Sequence, residues 1–466
     1  MKTGIGVDPE VRQPSFRQWL KHWTGLDRAI IFTIMARFWS AAAGIVTVLL
    51  IARFLTPSEQ GYYYTFSSLV ALQVVFELGF SFVILQLAAH ERAQLALSPD
   101  GRIEGDAVAH SRLASVLQKA VRWYFVAGLL MTFLLLPAGL HFFGSHQNAH
   151  AVVGWVIPWC LLVIASMLAF QIDPVFSFLE GCGFIADVAR RRLLQAVLGS
   201  VLAWIALETH HGLYAPAMII LGQVTVGVVY LFFSKLSRLL KNLLFYPVGQ
   251  HYVGWRHEIW PFQWKIAVSW ISGFFIYQLV NPILFAFRGP VEAGRMGMSL
   301  NIAGAIGAVA MAWMSTKASP FGSMVARREF QNLDKLFFRT CWQSTLLLVI
   351  GDIAFLLVLL LVGRSFPKLA MRVLPPWAFA LLLFTTLTSH ITFCQALYLR
   401  SHKREPFLVI TVIGAILVGS SNLVLGRLWG VNAVVIGNFV LALVYGLPAG
   451  TYVFITKRRE WHDARQ

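Results

Sequence analysis

The sequence predicts an all-α, polytopic membrane protein of about twelve transmembrane helices, arranged as two parallel six-helix repeats. Three observations support this prediction: the composition, the spacing of the apolar runs, and a motif that recurs at half the chain length. Hydrophobic residues make up 58% of the 466 residues, charged residues make up 13%, and the mean hydropathy is +0.67. Soluble domains average about 45–50% apolar and about 25% charged residues, so the apolar excess is expected to face lipid.

The apolar runs give the number of spans, because each is close to the ~20 residues that a helix needs to cross a bilayer. The first six runs lie at 29–53, 61–89, 123–143, 152–179, 193–208 and 213–234. The second six lie at 266–287, 294–316, 340–363, 373–399, 406–426 and 431–456. An even number of crossings places both termini on the same side of the membrane.

The distribution of basic residues predicts which side that is. The net charge is +17, and 30 of the 38 Lys and Arg fall in the termini and in the loops on their side of the membrane. An excess of Lys and Arg marks cytoplasmic loops. The sequence therefore predicts a bacterial inner-membrane protein with both termini in the cytoplasm. Because the basic residues are short clusters between apolar runs, they do not indicate a nucleic-acid partner.

The same pattern divides the chain into five parts. They are a cytoplasmic segment at 1–28, a six-helix bundle at 29–234, a cytoplasmic linker at 235–265, a second six-helix bundle at 266–456 and a basic cytoplasmic tail at 457–466. In the first part, helical spacing of Phe16, Trp19, Leu20 and Trp23 predicts an amphipathic helix on the membrane surface. In the linker, the leucines of 236–243 alternate with Lys235, Arg238 and Lys241. This pattern fits either a second interfacial helix or a continuation of the sixth span.

A short motif recurs in the loops that follow the first and seventh spans. The first copy reads Phe54-Leu-Thr-Pro57-Ser-Glu59-Gln-Gly61, and the second reads Phe287-Arg-Gly-Pro290-Val-Glu292-Ala-Gly294. The offset of 233 is half the chain length. Since each copy follows the first of six spans, the halves are predicted to be parallel repeats about an axis along the membrane normal. The Pro, Glu and Gly of both copies are candidate hinge positions.

The first copy also carries a family resemblance. The stretch from Arg53 through Gly61 to the following three tyrosines, then Phe76-Glu-Leu-Gly79, resembles the opening hairpin of bacterial polysaccharide flippases. These are the Wzx-type O-antigen translocases of the multidrug/oligosaccharidyl-lipid/polysaccharide (MOP) exporter superfamily. The second copy, continuing from Gly294 to Ile302, is similar to the family's eighth span.

The resemblance implies two six-helix bundles that form a V around a central cavity and work by alternating access. It implies a polyprenyl-pyrophosphate-linked oligosaccharide as cargo, for O-antigen, capsule or exopolysaccharide synthesis, and no cofactor. Membrane lipids and polysaccharide polymerase or assembly proteins are the expected partners. The family's cationic cavity points to Arg37 as the pyrophosphate-binding residue, and we add Arg295, Gln278 and Asn281 as further cavity candidates.

Charged residues inside the spans are the other candidates, because each costs ~3 kcal/mol at mid-membrane. Arg37 and Glu77 lie 20 residues before and after Pro57, which predicts that they reach similar depth and pair. The pair would be either a structural staple or part of an anion site or proton-linked switch. Glu77 and Asp352 are the candidates for ion or proton coupling, although Asp352 also fits a protonated packing residue.

Two prolines are predicted to kink their spans. Pro174, which follows Asp173, and Pro282, which follows Asn281, each free a backbone carbonyl one turn earlier. A kink in the seventh span would suit a bending gate.

The sequence gives no sign of catalysis or metal binding. The four cysteines, Cys160, Cys182, Cys341 and Cys394, lack CxxC spacing, and no nucleophile–base motif or P-loop is present. Two other functions stay open. A MATE-like cation-coupled exporter of drugs or small molecules should have a more acidic cavity. A membrane glycosyltransferase or polymerase usually has a long outer loop, which this chain lacks.

Overall fold

The computed structural model describes residues 28–97, 103–146, 153–402 and 404–463. The predicted interfacial helix around Phe16 to Trp23 lies outside these residues. Within them the chain is almost entirely helical. Its single sheet is a small antiparallel hairpin between the second and third spans, where Leu95–Leu97 pairs with Ile103–Gly105. The pattern of apolar runs gives no indication of this hairpin.

The first half contains six spans and the start of the linker. Span 1 is Arg28–Phe54, span 2 is Pro57–Val70, Gln73–Glu77 and Phe80–Arg92, span 3 is Ala107–Ser145, span 4 is Val156–Gly181, span 5 is Ile185–Glu208, and span 6 is Ala215–Phe233 after a short 3-10 turn at Gly212–Tyr214. The linker contains a helix at Leu236–Leu244 and a π turn at Trp255–Ile259.

The second half repeats this order. Span 7 is Trp260–Tyr277 and Val280–Arg288, span 8 is Pro290–Ser315, span 9 is Phe330–Ser365, span 10 is Pro376–Arg400, span 11 is Leu408–Trp429, and span 12 is Val431–Leu441, the π turn Ala442–Gly446 and Leu447–Asp463. Short helices at Ala318–Arg327 and Pro367–Ala370 lie on either side of span 9.

Every predicted apolar run corresponds to one span. Ten of the described helices are long and apolar enough to cross a membrane, or eleven when the bent span 2 is counted as one crossing. Span 5 is the remaining one. It carries Asp187 and three consecutive arginines, Arg190 to Arg192, in its first two turns, which shortens its apolar part. The protein therefore has the predicted all-α, polytopic architecture of two six-span halves.

Span 2 is broken where it touches the other half. The part up to Glu77 and the part from Phe80 onwards are bent by 45° relative to each other. The break is formed by Leu78 and Gly79, both in the left-handed backbone region with φ of 52° and 67°. A Cβ added to Gly79 would lie 2.3 Å from the side chain of Ile266 in span 7. Glycine at this position therefore meets a conformational requirement and a steric one together.

Span 7 is also interrupted, near the predicted position. The backbone N–H groups of Gln278 and Leu279 both donate to the Phe274 carbonyl, at 2.9 and 3.3 Å, so the regular helical ladder stops there. Pro282 follows in the next helical segment. Span 4, by contrast, continues as one helix through Pro174.

The two repeat loops pack directly against each other. A Cβ on Gly61 would lie 2.0 Å from the Pro290 carbonyl oxygen, and a Cβ on Gly294 would lie 2.8 Å from the Gly61 nitrogen. The contact is reciprocal, as expected where two equivalent surfaces meet across a twofold axis. We call the end of the bundle that carries these loops the hinge-loop end, and the opposite end, which carries the linker, the linker end.

The linker helix is separate from span 6 and packs on span 3. Ser234 breaks the helix with an extended backbone, ψ 158°. Leu239 and Leu243 are buried, and the Gln118 side chain of span 3 donates to the carbonyls of Leu243 and Tyr246 at 3.2 and 2.9 Å. The helix is therefore not a continuation of the sixth span. Its leucine face is covered by protein rather than by lipid.

Candidate functional site

The predicted ion pair between Arg37 and Glu77 is not formed. Arg37 is exposed, and its guanidinium donates to the hydroxyl of Ser315, the last residue of span 8, at 3.1 Å. Glu77 instead accepts hydrogen bonds from Ser81 and Tyr124. None of the ion pairs in the described residues joins Arg37 to Glu77.

The reason is the packing of the first two spans. Equal spacing from Pro57 gives equal depth and contact only if the two helices are straight and adjacent. Span 1 packs mainly against span 5, whereas the first part of span 2 packs against span 8. The bend at Leu78 and Gly79 then redirects the rest of span 2 towards spans 3 and 4.

Glu77 belongs to a polar cluster inside the first half. The Ser81 hydroxyl donates to Glu77 Oε1 and lies 2.7 Å from the Tyr124 hydroxyl, which is itself 3.4 Å from the same carboxylate oxygen. Asp173 of span 4 is close enough to repel Glu77 electrostatically. We call Glu77, Ser81, Tyr124, Asp173 and Arg191 the carboxylate cluster.

Arg191 neutralises one of the two carboxylates. Its Nη2 donates to Asp173 Oδ1 at 3.0 Å, and its guanidinium lies 3.4 Å from the centre of the Phe176 ring. The Arg191 side chain is 4% exposed and that of Asp173 is 59% exposed. The cation of this pair is therefore buried, and the carboxylate is exposed. Asp173 is therefore an ion-pair residue as well as the neighbour of Pro174.

The cluster has the chemistry of a site for a proton or a small cation. Within the described chain, Glu77 has hydroxyl partners and no cationic one. A carboxylate held by hydroxyl groups can accept a proton or a monovalent cation without first breaking an ion pair. No three His, Cys, Asp or Glu among the described residues converge as ligands of a tightly bound metal would.

Asp352 is a buried carboxylate in the middle of span 9, whereas Glu77 is half-buried. Asp352 is 7% exposed, and its Oδ1 has no hydrogen-bond partner. Span 9 packs against spans 8 and 10, and the neighbouring Gly351 faces Ile306 of span 8. Asp352 and Glu77 therefore lie in different halves of the molecule, and no described contact connects them.

The two halves are joined most closely at the hinge-loop end. The Gln60 side chain donates to the carbonyls of Gly294 and Arg372, both at 2.9 Å. Arg372 Nη2 donates back to the Leu55 carbonyl at 2.5 Å. We call this arrangement of Leu55, Gln60, Gly294 and Arg372 the clasp.

The other predicted cavity residues lie near the clasp or the break in span 7. Arg295 donates to the Met371 carbonyl at 3.0 Å, in the loop that carries Arg372. Asn281 is buried and donates to the Ser68 hydroxyl of span 2 at 3.0 Å. Gln278 is half-buried at the break itself. The structure thus does not gather Arg37, Arg295, Gln278 and Asn281 into one site.

The two repeat glutamates cap different helices. Glu59 forms a reciprocal capping box with Thr56, with bonds of 2.8 and 3.2 Å at the start of span 2. Position 289, which corresponds to Thr56, is a glycine, so the second copy lacks that partner. Glu292 instead accepts from the backbone N–H of Val431 at 3.0 Å and caps span 12. Pro57 and Pro290 both occupy the first helical position, where a missing N–H costs nothing.

Several residues of the site were missed by the sequence analysis. Arg191 falls between the fourth and fifth apolar runs, a position that predicts a loop. Ser81 and Tyr124 are polar residues whose side-chain hydroxyls are common in spans. Gly79 was part of the family motif, but the pattern gave no indication of a break there.

The chain shares its fold with solved transporter structures. No family model and no curated protein matches it. An inward-facing multidrug resistance MATE family transporter of the MOP superfamily matches with a TM-score of 0.61 at 15% identity, covering 92% of this chain and 99% of that one. The lipid II flippase MurJ, in an inward closed conformation, matches at 0.60 and 12% identity, covering 92% and 87%. The MATE multidrug transporter DinF-BH in complex with R6G matches at 0.60 and 15% identity, covering 96% and 98%. The protein therefore has the twelve-helix fold found in MOP superfamily transporters.

Proposed function

We propose that the protein moves a polyprenyl-pyrophosphate-linked oligosaccharide across a bacterial inner membrane by alternating access. The observation that supports this cargo is Arg37. Its guanidinium is exposed at the seam between spans 1 and 8, and its described contact is a neutral hydroxyl rather than a carboxylate. An arginine held in this way keeps its charge and its planar donors available for phosphate oxygens.

The fold is consistent with this cargo class, because one of the matching structures is named as a lipid II flippase. In our proposal Arg37 holds the pyrophosphate while the two halves rock about the hinge loops. Arg295 and Asn281 act in holding the helices together rather than in holding cargo, since Arg295 is bonded to Met371 beside the clasp and Asn281 to Ser68 of span 2. The proposal includes cytoplasmic termini, so a reporter fused after Gln466 should be active in the cytoplasm.

Reconstituted vesicles provide the test. A fluorescent polyprenyl-pyrophosphate-linked sugar is placed in one leaflet, and its appearance in the other leaflet is followed. Arg37→Leu should abolish translocation, and Arg37→Lys should retain part of it, because lysine keeps the charge but loses the bidentate geometry. Arg53→Leu, at the other end of the same helix, is the matched control and should be active. Full activity in Arg37→Leu would contradict the proposal.

The carboxylate cluster favours a second candidate, a cation-coupled exporter of small molecules. Glu77 and the exposed tip of Asp173 make this part of the first half acidic. Such an exporter should move cationic dyes, lose that activity in Glu77→Gln, and retain it in Arg37→Leu. A lipid-linked sugar flippase should show the opposite dependence on Arg37 and leave the dyes in place. Measuring both cargoes with both variants separates the two functions.

A further inference from the structure

The linker helix Leu236–Leu244 presents a basic face to the surroundings. Lys235, Arg238 and Lys241 are exposed and recur every three residues. Arg238 and Lys241 lie on the other side of the helix from Leu239 and Leu243, which are 1% and 0% exposed, and Lys235 is the N-cap residue at the start of the helix. We call these three cations the basic face.

The charges of the basic face lack partners among the residues that the structure describes. In the described part of the chain none of the three side chains forms an ion pair or a hydrogen bond. The sequence from Thr209 to His257 contains four Lys or Arg and no Asp or Glu, so no local acid can neutralise them. Some other exposed arginines of the protein do have acidic partners, such as Arg192 with Glu180 at 2.6 Å.

Exposed aromatic residues place this helix at the boundary of the apolar layer. Phe232 and Phe233, the last residues of span 6, are 68% and 86% exposed, and Phe245, just after the linker helix, is 80% exposed. Large apolar side chains at the end of a span are expected where acyl chains meet headgroups. The basic face therefore starts and ends at the level of the lipid headgroups.

We propose that the basic face binds the headgroups of anionic phospholipids in the leaflet at the linker end. The leucine face is buried against span 3, so this helix does not bind the membrane by inserting apolar side chains. The helix surface that remains to face the lipid is the basic face. A row of unpaired Lys and Arg next to a headgroup layer attracts acidic phosphodiesters, by about fivefold in affinity per cation. This inference does not depend on the cargo.

The position of the basic face gives the binding a mechanical consequence. The linker is the chain connection between the two halves, and Arg112 of span 3 holds it through Glu258 at 2.5 Å. Bound headgroups would fix the linker and span 3 to the membrane surface while the other half moves. Anionic lipid should therefore stabilise the folded protein as a whole.

The test uses the full-length protein in dodecyl maltoside micelles, with added dioleoyl phosphatidylglycerol or dioleoyl phosphatidylcholine. The melting temperature is measured during each titration at low and high salt. Phosphatidylglycerol should raise it at low salt, phosphatidylcholine should not, and salt should weaken the effect. The triple variant K235Q/R238Q/K241Q should bind phosphatidylglycerol about a hundredfold more weakly. K235R/K241R, which keeps the charge, should bind as the wild type does.

The matched control removes three other cations. Arg328, Lys335 and Arg339 are exposed around the start of span 9, on the predicted cytoplasmic side, and the variant R328Q/K335Q/R339Q loses the same charge. It should keep its response to phosphatidylglycerol. An equal loss in both triple variants, or no loss in the linker variant, would overturn the proposal. Competition by inorganic phosphate would also overturn it, since the face would then bind a free anion rather than a lipid.

Discussion

Two glycines permit the closest approach between the halves. A Cβ at Gly61 would overlap the backbone of Pro290, which cannot move aside as a flexible side chain can. The two backbones are therefore packed at a distance that only glycine allows. The recurrence of this glycine in both copies of the motif thus has a steric cause.

We expect Gly61→Ala to destabilise the protein by about 1–3 kcal/mol, the range seen when extra atoms are forced into a packed core. The melting temperature in detergent measures the effect. Gly304→Ala in span 8 is the control, since a Cβ there meets nothing within 4 Å. If both alanine variants melt like the wild type, the close packing of the repeat loops is wrong.

Arg37 and Glu77 should behave as independent residues. They have separate partners, so the stability changes of Arg37→Leu and Glu77→Leu should add to within about 0.5 kcal/mol in the double variant. The double variant should not recover transport. A coupling above about 1 kcal/mol would mean that the two side chains do interact. The necessary data are the melting transitions of both single variants and the double variant.

Asp352 is a proposed proton carrier, because it is buried and one of its oxygens has no partner. Asp352→Asn has nearly the same shape and cannot ionise. We expect normal expression and melting, with loss of transport driven by a pH gradient. The assay is cargo movement in vesicles with and without that gradient. Wild-type transport in Asp352→Asn would show that the residue only packs.

Among the elements, the linker is held to span 3 by an ion triad. Arg112 Nε bonds Glu91 at 2.9 Å, and its Nη2 bonds Glu258 at 2.5 Å. Glu91 is 5% exposed at its side chain, so it depends on this partner more than Glu258 does, which is 35% exposed. Lys119 adds a bond to the Val253 carbonyl, and Trp255 stacks on Phe80 with ring centres 5.1 Å apart.

Arg112→Met should therefore lower the unfolding free energy by about 1–3 kcal/mol. This estimate is below the cost of breaking a fully buried pair because Arg112 and Glu258 are partly hydrated. Arg122→Met, on the same helix but exposed and with no ion pair among the described residues, is the control. The difference in melting temperature between the two variants should shrink at high salt. A difference that salt leaves unchanged would indicate lost packing rather than lost charge.

The elements show which parts of the fold a sequence can predict. Apolar runs and the asymmetry of Lys and Arg depend on local composition, so all twelve spans could be located. Span 5 was predicted to begin at 193, but its helix starts at Ile185, because the ion pair with Asp173 stabilises the charge of Arg191, whose side chain is buried. The bend brings Gly79 against Ile266, which is far away in the chain. Tertiary contacts of this kind leave no local pattern.

The same limit applies to the candidate site. Glu77 and Asp352 could be predicted as candidate site residues, because a charged residue within an apolar run is visible in the sequence. The partners of Glu77 could not be predicted, because Ser81 and Tyr124 are brought together by a bend and by helix packing. Arg37 was found as a charge, but its predicted partner was wrong because adjacent spans in sequence need not be adjacent in space.

At the scale of the whole molecule, contacts between the halves are concentrated at the hinge-loop end. The clasp lies there, and the bond of Asn281 to Ser68 and the packing of Phe285 between Tyr62 and Phe143 lie on the same side of the break in span 2. Towards the linker end, Arg37 bonds Ser315 between spans 1 and 8, and Gly79 faces Ile266 of span 7. This distribution corresponds to a molecule closed at the hinge-loop end, which is the predicted outer side.

The strength of the clasp should then determine the fraction of molecules that are open at the hinge-loop end. The Arg372 carbonyl accepts from Gln60, and its guanidinium donates to the Leu55 carbonyl. Arg372→Met removes the second of these bonds, which is a charged hydrogen bond between the two halves. Such bonds contribute about 1.5–3 kcal/mol, enough to raise the open fraction about tenfold or more. Thr65→Cys can report this opening. Thr65 is 0% exposed, its hydroxyl has no partner in the described part of the chain, and it shares a helix face with Gly61 and Ser68.

The experiment measures the rate at which a membrane-impermeant maleimide, added outside the cell, labels this cysteine after the native cysteines are replaced by alanine. Labelling should be slow with Arg372 present and about tenfold faster in Arg372→Met. Lys368→Met is the control, because Lys368 is exposed in the same loop and has no bond in the described structure. It removes the same charge and should leave the rate unchanged. Equal rates in all three proteins would mean that the repeat-loop packing around Gly61, rather than the clasp, keeps the outer side closed.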